Sequence, residues 1–207
     1  MSKELHPLVY DTQPVTQTGN NNLYVNVQKD GVFNLSYTTP QISVTAEALI
    51  AIQSFSKDYY HLIVTEQNIL SSNSLTVASN QALTEGTVPE ELFATHATLT
   101  EEAIEALKKM PAIICNKNTD YNGNTNPKQY AIFAYIKEIK KSGKEIILSF
   151  NPILPVEQHY LNEYAADFCI NIDCALTDLN KPRWSIKRAN VFDAFKKSHI
   201  NMPLPLL

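Results

Sequence analysis

Residues 129–150 constrain the fold more than any other stretch of the sequence. As a helix, the segment would place a stripe of apolar residues from Ile132 to Ile139 on one side and would end at Ser142-Gly143. As a hairpin, its two halves would pair across the turn at residues 141–144. Periodicity does not decide between the two, but the β-branched and aromatic content and the Ser-Gly turn favour the hairpin. We therefore predict a hairpin, with a helix followed by a strand as the alternative.

The N-terminal part of the chain carries a second hairpin signal. Leu23, Val25 and Val27 alternate on one face, and Asp30-Gly31 tolerates the positive φ angles of a tight turn. Thr45 and Thr100 stand where they can cap helices over residues 46–55 and 101–109. Residues 151–155, with two prolines, predict a break. Other predicted elements are strands at 59–65, 74–78, 111–115, 167–172 and 183–188, and helices at 156–164 and 191–198.

These elements predict an α+β fold. The sheet would be mixed or antiparallel, with hairpins and a few short helices; the alternative is a three-layer α/β fold. The length of 207 residues allows one large domain or two small ones. Residues 66–98 are rich in Ser, Asn and Thr and show weak periodicity, which predicts a long loop apart from the short strand at 74–78. We therefore predict an N-terminal region of residues 1–98 and a C-terminal region of residues 99–207, with one continuous domain as the alternative.

Charge is distributed unevenly along the chain. Residues 1–107 carry 3 basic and 12 acidic side chains, whereas residues 108–207 carry 14 basic and 9 acidic ones. A basic half can present a surface to an anionic partner. The alternative is that the two halves attract each other or that the charges are simply solvated. The sequence has no apolar signal core and no apolar run long enough for a membrane helix, which predicts a cytoplasmic protein without a membrane partner.

The densest basic cluster lies at residues 181–198. Lys187 and Arg188 immediately precede a predicted helix, and Asn190 has the pattern of its N-cap. Because helix N-termini present free amides, we hypothesise an anion-binding site formed by Arg183, Lys187, Arg188 and Asn190. The alternative interpretation is that Trp184 belongs to the core while the basic side chains are exposed to solvent.

A second candidate is the asparagine-rich loop of residues 116–127, which follows the predicted strand ending at Cys115. Its density of Asn and Asp suggests a calcium loop, but no glutamate stands at the twelfth position that an EF-hand requires. We hypothesise a polar recognition loop that uses Asn118, Asp120 and Tyr121. A turn-forming loop without a ligand is the alternative.

No catalytic signature accompanies these candidates. Walker A, Rossmann, HExxH and zinc-binding spacings are missing from the sequence, as is the nucleophile elbow. The five glycines are too few for a glycine-rich phosphate loop, and His61, in an apolar run, is typical of a satisfied core or edge histidine. We therefore predict no catalytic residues, no metal and no cofactor.

The C-terminal half resembles a block found in uncharacterised bacterial proteins. The block combines a strand starting at Pro111, an isoleucine-rich hairpin, the Leu161-Asn-Glu segment and the sequence from Leu179-Asn180 through Trp184 to Asn190-Val191. The resemblance implies the hairpin at residues 130–150 and a bacterial setting, such as a mobile element or a defence system. It implies no established activity.

We expect a non-catalytic binding or accessory protein that engages a protein or an anionic partner through its basic C-terminal half. A protein is the first expectation, and a nucleic acid or nucleotide is the alternative. The enzyme alternative is a small hydrolase or nucleotide-handling protein that combines the 116–127 loop with Lys187 and Arg188. The sequence predicts no oligomeric state.

Overall fold

The computed structural model describes residues 23–27, 33–37, 46–119, 128–173 and 176–200. The chain divides into two compact units, Met1–Thr38 and Thr39–Leu207. In the first unit, strands β1 (Leu23–Val27) and β2 (Phe33–Tyr37) pair in antiparallel fashion. This pairing confirms the predicted N-terminal hairpin, while its Asp-Gly turn lies outside the described residues.

The second unit contains the remaining helices and strands. The structure gives them as α1 (Ala46–Ser54), β3 (Tyr60–Thr65), β4 (Ser74–Ala78), α2 (Glu90–His96), α3 (Glu101–Leu107), β5 (Pro111–Asn116), β6 (Tyr130–Ser142), β7 (Glu145–Glu157), α4 (Gln158–Glu163), β8 (Ile172–Asp173), β9 (Leu176–Thr177), β10 (Arg183–Lys187) and α5 (Val191–Lys197). Most agree with the predicted elements within two residues. Thr100 caps α3 as predicted, because its side chain accepts a hydrogen bond from the amide of Ala103.

A mixed six-stranded sheet organises this unit, with the strand order β10-β3-β5-β6-β7-β4. Only β3 and β5 pair in parallel among its neighbours, and the other pairs are antiparallel. The predicted α+β class is therefore confirmed. Strands from both sides of residue 98, where the sequence predicts a division, take part in the sheet. No helix in the described ranges is long and apolar enough to cross a membrane.

The hairpin prediction for residues 129–150 is confirmed, and the helical alternative is wrong. β6 and β7 pair from Tyr130 opposite Glu157 to Ser142 opposite Glu145, and Gly143 takes the positive φ of the turn. The predicted break at residues 151–155 is also wrong, because β7 continues to Glu157. β4 pairs only with residues 145–149 of β7, so the prolines lie where β7 has become an edge strand and a missing amide is tolerated.

Two further predictions need correction. Residues 90–96 form helix α2, which follows Pro89 and carries two glutamates in its first turn, whereas the sequence predicts a loop there. Residues 167–172 form turns and only the first part of a two-residue pairing, not a strand. Phe168 and Ile170 are buried from this turn, because Cys169 adopts φ 50° and the amide of Ile170 donates to the carbonyl of Ala165. The apolar spacing of residues 167–172 thus indicates which side chains are buried, but it does not indicate a strand.

Helices cover both faces of the sheet, and each face has its own apolar core. Consecutive residues of β3 alternate between the cores, so Ile63 packs with α2 and α3, whereas Leu62 packs with α1, α4 and α5. Trp184 is fully buried in the first core, which confirms it as a core residue. The two covered faces leave the ends and the edges of the sheet as the places where polar groups can meet a partner.

Candidate binding groove

A groove of about 860 Å³ lies at the carboxyl ends of the parallel strands β3 and β5. Thr65, the last residue of β3, pairs with Asn116, the last residue of β5. Beyond these residues both strands pass into loops, and the carboxyl ends of parallel strands are where open sheets of this kind commonly bind ligands. We call this feature the groove; its lining residues are Thr65, Glu66, Gln67, Asn68, Asn116, Lys117, Asn118, Thr119, Lys128 and Gln129.

Side-chain amides hold the groove wall in place. The Nδ2 atom of Asn116 donates to the carbonyl oxygens of Gln67, at 2.6 Å, and Thr65, at 3.2 Å. The Oε1 atom of Gln129 accepts from the backbone amide and hydroxyl of Thr119, and its Nε2 donates to the carbonyl of Lys117. These bonds tie the ends of β3, β5 and β6 together, so the wall is preorganised.

A second layer of amides lies beneath the wall, centred on Asn118, which is 7% exposed. Its Nδ2 donates to Oδ1 of Asn162 at 2.8 Å, and its Oδ1 accepts from Nε2 of Gln158 at 2.7 Å. Its backbone amide donates to the carbonyl of Leu179. Asn118 therefore joins the groove to helix α4 and to the turn before β10, and it lies beneath the surface that it was predicted to form.

Gln158 is the most buried member of this layer. Its Nε2 also donates to the carbonyl of Asn116 at 2.7 Å. Its Oε1 is buried and has no hydrogen-bond partner among the residues that the structure describes. An unpaired buried carbonyl of this kind costs on the order of 1–3 kcal/mol. The network is therefore satisfied on its donor side and not on this acceptor.

The charges at the groove are mixed in sign. Nζ of Lys117 lies 3.6 Å from Glu66, and Nζ of Lys128 lies 2.7 Å from Glu157, which also contacts Nδ1 of His159 at 3.4 Å. The hydrogen bond with Glu157 raises the pKa of Lys128, an exposed side chain. Each groove lysine thus has an acidic neighbour, and the groove has no strong excess of either charge.

Three of the four predicted anion-binding residues, Lys187, Arg188 and Asn190, have partners within the protein. Lys187 is 7% exposed, and its Nζ lies 2.6 Å from Asp178. Arg188 is exposed, and its guanidinium lies 3.4 Å from Glu91. Asn190 caps α5 as predicted, since its Oδ1 accepts from the first amides of that helix. The alternative interpretation, in which the basic side chains are exposed to solvent, is wrong for Lys187, because its face of β10 packs against the second core.

The structure separates the predicted residues instead of gathering them. Lys187 stands opposite Tyr60 at the start of β3, whereas Arg183 stands opposite Val64 near its end. At about 3.3 Å per residue, these two positions are about 13 Å apart along β10. Asn118 lies beyond the end of β5, so neither Lys187 nor Arg188 lines the groove. Asp120 and Tyr121 lie outside the described residues.

Sequence reasoning missed most of the amide network, including Gln67, Gln129, Gln158 and Asn162. Asn118 contacts Gln158 and Asn162, which lie 40 and 44 residues further along the chain, and Gln129 contacts Thr119 ten residues before it. The period of a helix or a strand does not connect residues this far apart. The available signal was weaker: several uncharged amides lie close to the ends of predicted apolar strands. Such positions are where a sheet passes into loops that carry binding groups.

His61 is a satisfied core histidine, as predicted. Its Nδ1 accepts from the indole N–H of Trp184 at 3.0 Å, and its Nε2 donates to the carbonyl of Leu107 at 2.9 Å. This pairing assigns the proton to Nε2, because Nδ1 faces a donor. Burial lowers the pKa of His61 to about 4. In the described part of the chain, no three His, Cys, Asp or Glu residues cluster closely enough to hold a metal ion.

Comparison of the chain with protein-family models, with curated proteins and with solved structures finds no match.

Proposed function

We propose that this is a non-catalytic binding protein that holds a polypeptide partner in the groove. The observation that carries the proposal is the groove's preorganised wall, in which the Asn116 and Gln129 amides fix the ends of three strands. Fixed walls favour binding because less conformational freedom is lost when a partner docks. The bacterial, cytoplasmic and mobile-element setting is part of the proposal and rests on the sequence resemblance.

The polar chemistry of the groove suits a polypeptide. A side-chain amide has the same donor and acceptor groups as a peptide unit, so it can pair with a partner's backbone. The chain itself contains such a pair, since the amide of Gln67 exchanges two hydrogen bonds with the backbone of Thr76. Exposed Asn68 presents a further side-chain amide in the groove. A partner with alternating peptide donors and acceptors would match this surface.

The ion pairs support a protein over a polyanion. Lys117 and Arg188, from the basic half of the chain, pair with Glu66 and Glu91 from the acidic half. These two pairs join the two halves of the chain, whereas Lys128, Lys187 and Lys197 pair with acids of the basic half itself. A nucleic acid would require unpaired cations along its backbone, and the groove lysines already have acidic neighbours. The mixed charges favour a partner that also carries both signs.

The enzyme alternative has less geometric support. A hydrolase or nucleotide-handling site would need residues 116–127 beside Lys187 and Arg188, because the reacting atoms must lie within hydrogen-bond reach of these groups. The described part of that loop lies beyond the carboxyl end of β3, whereas the backbone of Lys187 stands opposite the start of β3 and its ammonium group is bonded to Asp178. An assay for nucleotide hydrolysis would test the alternative: turnover that is lost in Arg188→Ala, which changes an exposed side chain, would favour the enzyme over the binding protein.

Charge reversal in the groove tests the proposal. The variant carrying Lys117→Glu and Lys128→Glu should lose its partner, because both side chains line the groove. The matched control carries Lys140→Glu and Lys197→Glu; these lysines are also exposed and paired with acids, and they do not line the groove. The net charge changes equally in both variants, so a difference between them reports position.

The measurement is capture from an extract of the cells that produce the protein, followed by quantitative mass spectrometry. Proteins retained by the wild type and the control should fall at least about tenfold with the groove variant, which corresponds to about 1.4 kcal/mol of binding free energy. Equal retention by all three would contradict the proposal. Retention of nucleic acid that disappears with Lys187→Glu and Arg188→Glu would favour the anionic partner instead.

A further inference from the structure

Strand β4 forms one edge of the six-stranded sheet, and alternate residues point their backbone groups away from it. The carbonyl of Asn73 accepts from the amide of Phe150 in β7, and the amide of Ser79 donates to the carbonyl of Lys144 in the turn before β7, each at 2.9 Å. Since backbone groups alternate along an antiparallel strand, Ser74, Thr76 and Ala78 direct theirs outward. The outward row is a template on which another strand can pair.

The sequence of β4, Ser-Leu-Thr-Val-Ala, contains no charged residue and no proline. Proteins commonly protect an open edge with lysine, proline, a bulge or a covering segment. The other edge of this sheet has such a covering, because Leu83 and Thr87 exchange backbone hydrogen bonds with Trp184 and Ile186 of β10. β4 therefore needs a different protection.

The side chains of Gln67 and Ser72 protect the open edge of β4. The amide of Gln67 donates from Nε2 to the carbonyl of Thr76 at 2.6 Å and accepts from the amide of Thr76 at 3.0 Å. The hydroxyl of Ser72 accepts from the amide of Ser74 at 3.1 Å and donates to its carbonyl at 2.8 Å. Both imitate the bonds of an added strand, and both can leave by side-chain rotation, which is fast compared with the movement of a chain segment.

We propose that β4 is a strand-pairing edge held closed by Gln67 and Ser72, and that its occupant is β4 of a second copy of this chain. Antiparallel pairing around a two-fold axis at Thr76 places Ser74 opposite Ala78 of the other copy. The outward backbone groups of one copy then pair with the same groups of the other. No charge on either strand opposes the contact. Gln67 also lines the groove, but the inference stands on the edge alone and does not rest on the proposed function.

The test compares Gln67→Ala combined with Ser72→Ala against the wild type by sedimentation equilibrium over a wide concentration range. The control combines Gln53→Ala and Ser71→Ala, an exposed glutamine and an exposed serine away from the outward row. The edge variant should dimerise at least about tenfold more tightly than the wild type and the control. Equal association of all three proteins would overturn the proposal.

A proline at the centre of β4 provides a second test of the proposal. Adding Thr76→Pro to the edge variant removes the outward amide at the two-fold axis, at a position where an edge strand tolerates proline. Association should return to the wild-type level, and unchanged association would show that the copies meet elsewhere and overturn the proposal. Circular dichroism checks folding. If the edge variant unfolds, Gln67→Met replaces it, because methionine has a similar length and cannot make the two hydrogen bonds to Thr76. It should also dimerise at least about tenfold more tightly than the wild type, and equal association would overturn the proposal.

Discussion

Replacing His61 by glutamine should remove much of the acid sensitivity of this fold between pH 6.5 and pH 4. In the folded protein, His61 is fully buried, bonded on both ring nitrogens and neutral, with a pKa of about 4. In the unfolded chain its pKa returns to the ordinary value of 6.5. Between these values the unfolded state binds the proton and the folded state does not. The contribution of neutral His61 to the free energy of unfolding is therefore fully present above pH 6.5 and is lost as the pH falls toward 4.

The magnitude follows from the two pKa values of His61. They differ by about 2.5 pH units, and each unit corresponds to about 1.36 kcal/mol, so this histidine should remove about 3 kcal/mol of stability between pH 7 and pH 4. Burial is complete, so solvent does not screen the effect. The loss is a large share of the net stability of an ordinary domain, which is about 5–15 kcal/mol.

Urea unfolding of the wild type and of His61→Gln at a series of pH values measures this term. The difference in free energy of unfolding between the two proteins isolates residue 61, because every other titrating group is common to both. The difference should be constant above pH 6.5 and should shift by about 3 kcal/mol in favour of the variant by pH 4. Parallel curves across this range would refute the assignment of a neutral, buried histidine.

Three other perturbations test the packing around the C-terminal strand and helix. Asp178→Asn should cost about 3 kcal/mol in urea unfolding, since it leaves Lys187 charged and buried, and adding Lys187→Met should restore much of the loss; an unaffected single variant would contradict the ion pair. Asn190→Ala should cost about 1 kcal/mol and Asn190→Ser much less, and equal losses would argue against capping. Burial raises the pKa of Cys115 to about 12, so iodoacetamide should label exposed Cys169 in the folded protein and Cys115 only after unfolding, as peptide mapping would show.

Local signals predicted the elements that local physics determines. The Ser-Gly turn and β-branched residues indicated the hairpin of β6 and β7, and the structure has it. Thr100 and Asn190 were recognisable as caps, because capping depends on amides two or three residues away. Such features need no knowledge of the remainder of the chain, so the fold class followed from them.

The wrong predictions arose where distant contacts decided the outcome. Pro152 and Pro155 indicated a break in β7, but β4 ends before it reaches them, and this shortness is not visible in the residues around the prolines. Residues 167–172 have the apolar content of a strand, yet Phe168 enters the core from a turn. Burial and secondary structure are separate properties, and the apolar composition of this segment indicates only its burial.

The site was predictable only in part. Asn118 was identified as a polar residue at a strand end, but its contacts with Gln158 and Asn162 depend on the fold of the whole C-terminal half. The alternative interpretation exposes Lys187 to solvent, on the face of β10 opposite Trp184. The sequence does not reveal that this face is also covered, or that Asp178 lies beside the ammonium group. Both sheet faces must be known before exposure can be assigned.

Site-specific photo-crosslinking tests the groove most directly. A photoreactive amino acid is placed at Thr119 or Lys128, which line the groove, and at exposed Lys140, which does not. After irradiation in the cells that produce the protein, we predict polypeptide adducts at the first two positions and none of comparable yield at Lys140. Adducts at Lys140 alone, or equal yields at all three positions, would contradict the assignment of the groove as the binding surface.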